Sequence, residues 1–207
     1  MSKQTNMTEG NPVNLLLSFA VPLMFGTIFQ QSFIIVDRII VGHLIGAEAF
    51  SAVGATGSVS MVFTSLCIGI AIGSGIVVSQ FYGANDEDGT ASAIRNGTVI
   101  TILCTIIISI LALLVTKPIL ILLNTPASLL EDSINYMSTS LGGLVVVILY
   151  YIPFSVLRSL GDAKTPIIFL ALCSILNILF DLVFVLLFHT GVEGTAVASL
   201  LAQGIAG

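Results

Sequence analysis

PIIFLALCSILNILFDLVFVLLF (Pro166–Phe188) holds one amide, Asn177, and one carboxylate, Asp181, in an otherwise almost wholly apolar run. The run is long enough to cross the ~30 Å hydrocarbon core of a bilayer as a helix, and it is too long for a barrel strand. A charge at the bilayer centre costs about 2.5–3.5 kcal/mol on insertion scales, so an intramembrane Asp points to use.

Five more apolar segments surround it. The first runs from Leu15 to Ile45 with Pro22 inside it, and the second from Phe50 to Tyr82. The third spans Ala91 to Val115, where Lys117-Pro118 is expected to stop the helix, with a short apolar piece at Ile119–Leu123. The fourth spans Ser133 to Leu157, and the sixth starts near Thr195 and runs to Gly207. The loops GANDEDGT (Gly83–Thr90) and RSLGDAKT (Arg158–Thr165) are polar. The reading is an all-α integral membrane protein: residues 1–12 form a cytoplasmic segment, and 13–207 a lobe of six transmembrane helices. The sixth helix, about 20 Å long from Thr195 to Gly207, falls short of the bilayer, and so the chain reads as part of a longer protein.

Composition agrees. The 207 residues are 56% hydrophobic and 8% charged, with mean hydropathy +1.11. A soluble domain carries about 25% charged residues. Six scattered Lys and Arg argue against nucleic acid as a partner, and the net charge of −5 sits in short loops. Cys67, Cys104 and Cys173 stand singly in apolar runs and read as small hydrophobes rather than ligands. His43 and His189 fall at segment ends.

With the N-terminus inside, Lys3, Arg95, Arg158 and Lys164 are cytoplasmic, while Arg38 and Lys117 are outside. This is the orientation that the positive-inside rule favours. Asp37 then lies roughly 10 Å outward of its segment's midpoint near Gln30, and Asp181 roughly 6 Å outward of its own at Asn177. Ser199 falls in the same outer layer. Asn177 and Asp181 share a helix face at i, i+4, as do Gln30, Phe33, Ile34 and Asp37. If the faces meet, two carboxylates, two amides and the Ser199 hydroxyl surround a cavity fit for a hard monovalent cation or a proton. In the alternative reading, Asn177 and Asp181 bond neighbouring helices, and Asp37 is an interfacial acid paired with Arg38. The pairs Gly69/Gly73 and Gly142-Gly143 read as close-packing positions. Pro22 frees a backbone carbonyl and permits a bend, either as a fixed kink or as a moving part.

Five strings in register resemble the multidrug and toxic compound extrusion (MATE) transporters. They are FAVPLMFGTIFQQSFIIVDRIIVGHLIGAEAFSAVG (Phe19–Gly54), SQFYGAND (Ser79–Asp86), RSLGDAKTP (Arg158–Pro166), NILFD (Asn177–Asp181) and GVEGTAVASLLAQ (Gly191–Gln203). The resemblance covers nearly the whole chain. It implies one six-helix lobe of a twelve-helix, two-lobe transporter, whose C-terminal lobe is the missing partner. It also implies a multi-pass protein of the plasma membrane, surrounded by lipid, that exchanges Na⁺ or H⁺ for a small organic, often cationic, substrate. No cofactor is implied beyond the coupling ion. The family's cation site carries over to Asp37, Asn177, Asp181 and Ser199, so a Na⁺ would sit among these four. Ser199 departs from the usual Thr, keeping the oxygen and losing a methyl. The family's first-helix proline matches Pro22, and Gln30 and Phe33 are candidate cavity or gating residues beside it. A lipid-linked precursor flippase is the alternative transport reading. A membrane enzyme lacks a nucleophile–base pair or metal motif at depth, and a passive channel suits paired buried acids poorly.

Overall fold

The computed structural model describes residues 12–40, 42–43, 46–188 and 190–207. The side chains at 12, 19, 29, 30, 32, 33, 37, 40, 47–49 and 55 lie outside that description. The described residues form α1 (Pro12–Ile40), α2 (Ala47–Gly83), α3 (Glu87–Leu122), α4 (Ala127–Gly142), α5 (Leu144–Ser159), α6 (Thr165–Leu186) and α7 (Gly191–Ala206). Helices α2, α3 and α6 are each long and apolar enough to cross a membrane, and α4 with α5 forms a further span bent by 42°. Helix α1, apolar over Val13–Ile28, and the 16-residue α7 complete the set, so that each of the six apolar segments is helical.

The helices turn their bulk outward. Val99, Leu103, Ile107, Ile110 and Leu114 of α3 are exposed, while its buried face is Thr101, Thr105, Ser109, Ala112, Thr116 and Leu120. Lipid tails are as apolar as leucine, so burying leucine gains nothing there. Small residues that let backbones approach hold the bundle instead. A compact core forms where Cys67, Leu120, Met137, Leu141, Leu144 and Ile148 meet, all essentially buried.

Three helix ends share one device. Asn85 (φ 57°), Asn124 (φ 54°) and Gly161 (φ 83°) adopt the left-handed conformation one residue past the cap of α2, α3 and α5. In each, two N–H groups fold back onto the last carbonyls, as in Asn124 to Ile121 and Thr125 to Leu120, which is the Schellman arrangement. Twice an Asp follows at once, as the N-cap of α3 and just ahead of α6. Asp86 accepts from the Gly89 N–H at 2.8 Å, and Asp162 accepts from the Lys164 and Thr165 N–H groups at 3.0 Å.

The structure corrects four expectations. Lys117-Pro118 does not end the third helix; α3 runs on to Leu122. Pro118 removes one backbone donor, but Leu120 is buried in the core cluster and ties down the turn beyond it. The fourth segment is not one helix, because Gly143 (φ −82°, ψ 1°) interrupts it. Gly143 lies against Leu200 of α7 so closely that a Cβ would fall on that side chain. Ser109 Oγ donates to the Leu141 carbonyl at 2.6 Å beside the break. The sixth pass begins at Gly191, four residues before Thr195.

The fourth correction concerns glycine packing. No described atom lies within 4 Å of a Cβ built at Gly69, Gly73 or Gly142. Among the glycines that do stand against a neighbouring helix, besides Gly143, are Gly75 and Gly97. A Cβ at Gly75 would meet Ser155 Oγ at 2.5 Å, and one at Gly97 would meet Ser74 Cβ at 2.9 Å. Between them Ser155 Oγ donates to the Ala71 carbonyl at 2.9 Å, and Ser74 and Thr101 share a hydrogen bond at 3.3 Å.

Candidate functional site

Helices α6 and α7 form an antiparallel hairpin, and α7 presents a face of small residues to its partner. Thr195, Ala198 and Ala202 are buried there, and Ser199 is half-buried. Without large side chains the axes close in, and polar groups meet across the seam. Asn177 Nδ2 donates to Ser199 Oγ at 2.9 Å. One turn further along α6, on the face of Asn177, Asp181 is 0% exposed. An amide carbonyl, a hydroxyl oxygen and a carboxylate therefore lie along one short stretch of the seam. Such oxygens bind a hard cation, or hold a proton on the carboxylate.

Helix α1 runs beside α6. Gly26 is buried, and a Cβ there would stand 3.2 Å from Ile167 Cγ1. Each pass reverses direction, so α1 and α6 run the same way. From the Gly26–Ile167 contact, the backbone of Asp37 lies about 16 Å up α1. Asn177 lies about 15 Å up α6 and Asp181 about 21 Å. The Asp37 backbone is thus level with the Asn177–Asp181 turn. The side chains of Asp37, Gln30 and Phe33 lie outside the described residues. Pro22 is half-buried inside α1, one turn before Gly26.

Gln203 was not singled out from the sequence as a site residue. It sits one turn beyond Ser199 on α7, and its buried Oε1 has no partner among the described residues. The signal available was its i, i+4 spacing from Ser199. Of the histidines, His43 is exposed and His189 lies outside the described residues. Cys67 and Cys173 are buried among apolar neighbours, and Cys104 is half-buried.

A second feature was not foreseen. A cavity of about 1000 Å³ opens between α2, α3 and α5, at the end of the bundle that carries the α2–α3 and α5–α6 loops. It shares no residue with the α6–α7 seam.

The MatE family profile matches residues 22–183. The chain is 31% identical over 204 residues to the probable multidrug resistance protein YpnP of Bacillus subtilis, covering 99% of this chain and 46% of that protein. It is 29% identical over 188 residues to the probable multidrug resistance protein YoeA of the same bacterium, covering 89% and 41%. A MOP superfamily transporter from Pyrococcus furiosus superposes with a TM-score of 0.90 at 25% identity, over all of this chain and 45% of that one. The chain thus spans about half the length of the curated relatives it matches.

Proposed function

The chain belongs to the MatE family, whose members are multi-pass membrane transporters rather than enzymes, and from that premise we propose that its protein is a cation-coupled antiporter exporting small organic, drug-like cations. Asp37, Asn177, Asp181 and Ser199 take up the coupling ion, Na⁺ or H⁺. The observation that carries this reading is the 2.9 Å hydrogen bond from Asn177 to Ser199 beside the fully buried Asp181. A carboxylate kept at 0% exposure inside a membrane helix is costly unless its charge is matched during the working cycle. An arriving cation matches it, and leaves it negative when released.

The mechanism follows from electrostatics. With Na⁺ or a proton bound, the seam carries one more positive charge than with the site empty. The two states favour different packings of α1 against α6 and α7, and Pro22 supplies a place where α1 bends without breaking a backbone hydrogen bond. Downhill entry of the ion then drives export of the substrate as one lobe rocks against the other. The N-terminus is cytoplasmic, the plasma membrane is the setting, and a second six-helix lobe completes the path.

The test is efflux of a fluorescent cation from proteoliposomes holding the full-length protein, with Na⁺ and pH gradients imposed separately. Efflux driven by one gradient, and lost in Asp181→Asn, is the expected result. Efflux that needs neither gradient, or survives Asp181→Asn at the wild-type rate, overturns the proposal.

A further inference from the structure

The cavity between α2, α3 and α5 has an ordered chemistry along its length. Its deep wall is apolar: Ile68, Ile72 and Ile76 follow one face of α2 at i, i+4 spacing. Ile68 packs on the core cluster, while Ile72 and Ile76 are 48% and 55% exposed. From Ile68 to Ser79 the wall is roughly 16 Å long, close to the ~15 Å of hydrocarbon in one leaflet.

The mouth is charged, and its charges are divided. On the α5 side stands Arg158, half-buried, with its guanidinium 5.6 Å from the centre of the Phe154 ring. The ring takes one face of the cation, and the N–H edges are left for an acceptor. On the α3 side stand Asp86 and Glu87. Asp86 is engaged in capping α3 through the Gly89 N–H, which keeps that carboxylate on its own wall rather than reaching for Arg158. Among the described residues Arg158 has no carboxylate partner.

The geometry points to a binding site for one membrane lipid of the adjoining leaflet whose headgroup carries both a phosphate and a primary ammonium. The acyl chain lies along Ile68, Ile72 and Ile76, the phosphate takes the guanidinium of Arg158, and the ammonium takes Glu87 and Asp86. A guanidinium offers a phosphate two parallel N–H donors, and an ammonium gives three donors to carboxylates. The inference is independent of the antiport reading, because it uses neither the α6–α7 seam nor any gradient.

Phosphatidylethanolamine is the probe. The full-length protein is purified, stripped of lipid and titrated in nanodiscs or by native mass spectrometry. Phosphatidylcholine, phosphatidylglycerol and inorganic phosphate are run in parallel. Phosphatidylethanolamine is expected to bind about tenfold more tightly than phosphatidylcholine, whose methylated head has no N–H donors. Arg158→Gln should weaken both phosphatidylethanolamine and phosphatidylglycerol about tenfold. Glu87→Gln should erase the preference for phosphatidylethanolamine over phosphatidylglycerol. Arg95→Gln, an exposed residue outside the cavity, should change nothing. If Arg158→Gln does not fold, Ser79→Asp puts an anion on the exposed wall and should weaken binding alike. Equal binding of all three lipids, unchanged binding in the folded Arg158 or Ser79 variant, an equal loss in Arg95→Gln, or displacement by millimolar phosphate would each overturn the proposal.

Discussion

The hydroxyl of Ser109 donates to the carbonyl of Leu141 at 2.6 Å, joining α3 to the last turn of α4 two residues before the break at Gly143. It supplies a donor from a neighbouring helix at the point where the backbone ladder is interrupted. In lipid no water is available to do so.

Replacing that donor measures its worth. Ser109→Ala should destabilise the folded protein by about 0.5–1.5 kcal/mol, within the range of interhelical hydrogen bonds in membranes. Thermal unfolding in a mild detergent, with the exposed Ser58→Ala as reference, checks it. Equal stability of the two variants refutes the role given to Ser109.

Asn177 and Ser199 should be energetically coupled. A double-mutant cycle with Asn177→Ala and Ser199→Ala is expected to give about 0.6 kcal/mol, and at most about 1.7. For transport, Ser199→Thr should retain coupled efflux because it keeps the oxygen, whereas Ser199→Ala should lose most of it. Comparable efflux in both Ser199 variants would remove the hydroxyl from the site.

Asp181→Asn separates structure from coupling. It keeps the shape and removes a buried charge, so stability should hold or rise. Cation-driven efflux should be abolished at matched expression. A variant that transports normally and is equally stable would make Asp181 a packing residue.

The glycines divide by what faces them. Gly75→Val should cost about 1–3 kcal/mol, since its side chain must displace Ser155 from the Ala71 carbonyl. Gly69→Ala, into open space, should be neutral or stabilising by up to about 1 kcal/mol. Denaturation midpoints of the two variants in the same detergent decide the matter, and a Gly69→Ala loss as large as that of Gly75→Val would refute the assignment.

What could be read from the sequence follows from which signals are local. Apolar run length is local, and all six helical segments were readable from it. The i, i+4 relation of Asn177 and Asp181 is also local. Ser199, a whole helix away in sequence, was reachable through estimated depth and through the family resemblance rather than through any local spacing. The break at Gly143 was not read from the sequence, and the side chain that stands against it, Leu200, lies far along the chain. Pro118 misled for the same reason: its penalty is local, but the anchoring of Leu120 in the core is not. Gly69 and Gly75 look alike in sequence, since a glycine does not declare which neighbour stands against its missing side chain. The lipid-sized cavity draws on residues from Ile68 to Gly161, and its one periodic trace, Ile68, Ile72 and Ile76, looks like any apolar helix face.

The paired turns at one end of the bundle bear on how the protein is made. Between α2 and α3 only Ala84, Asn85 and Asp86 intervene, and both flanking helix ends are already closed by hydrogen bonds within the turn. Such a turn needs no distant partner to form, so the ends of α2 and α3 are held together as soon as both have been synthesised. Low sequence separation makes contacts of this kind early ones. The α2–α3 hairpin is therefore expected to enter the bilayer as a unit during synthesis. The contacts of α1 with α6, which span most of the chain, must wait until nearly all of it has emerged.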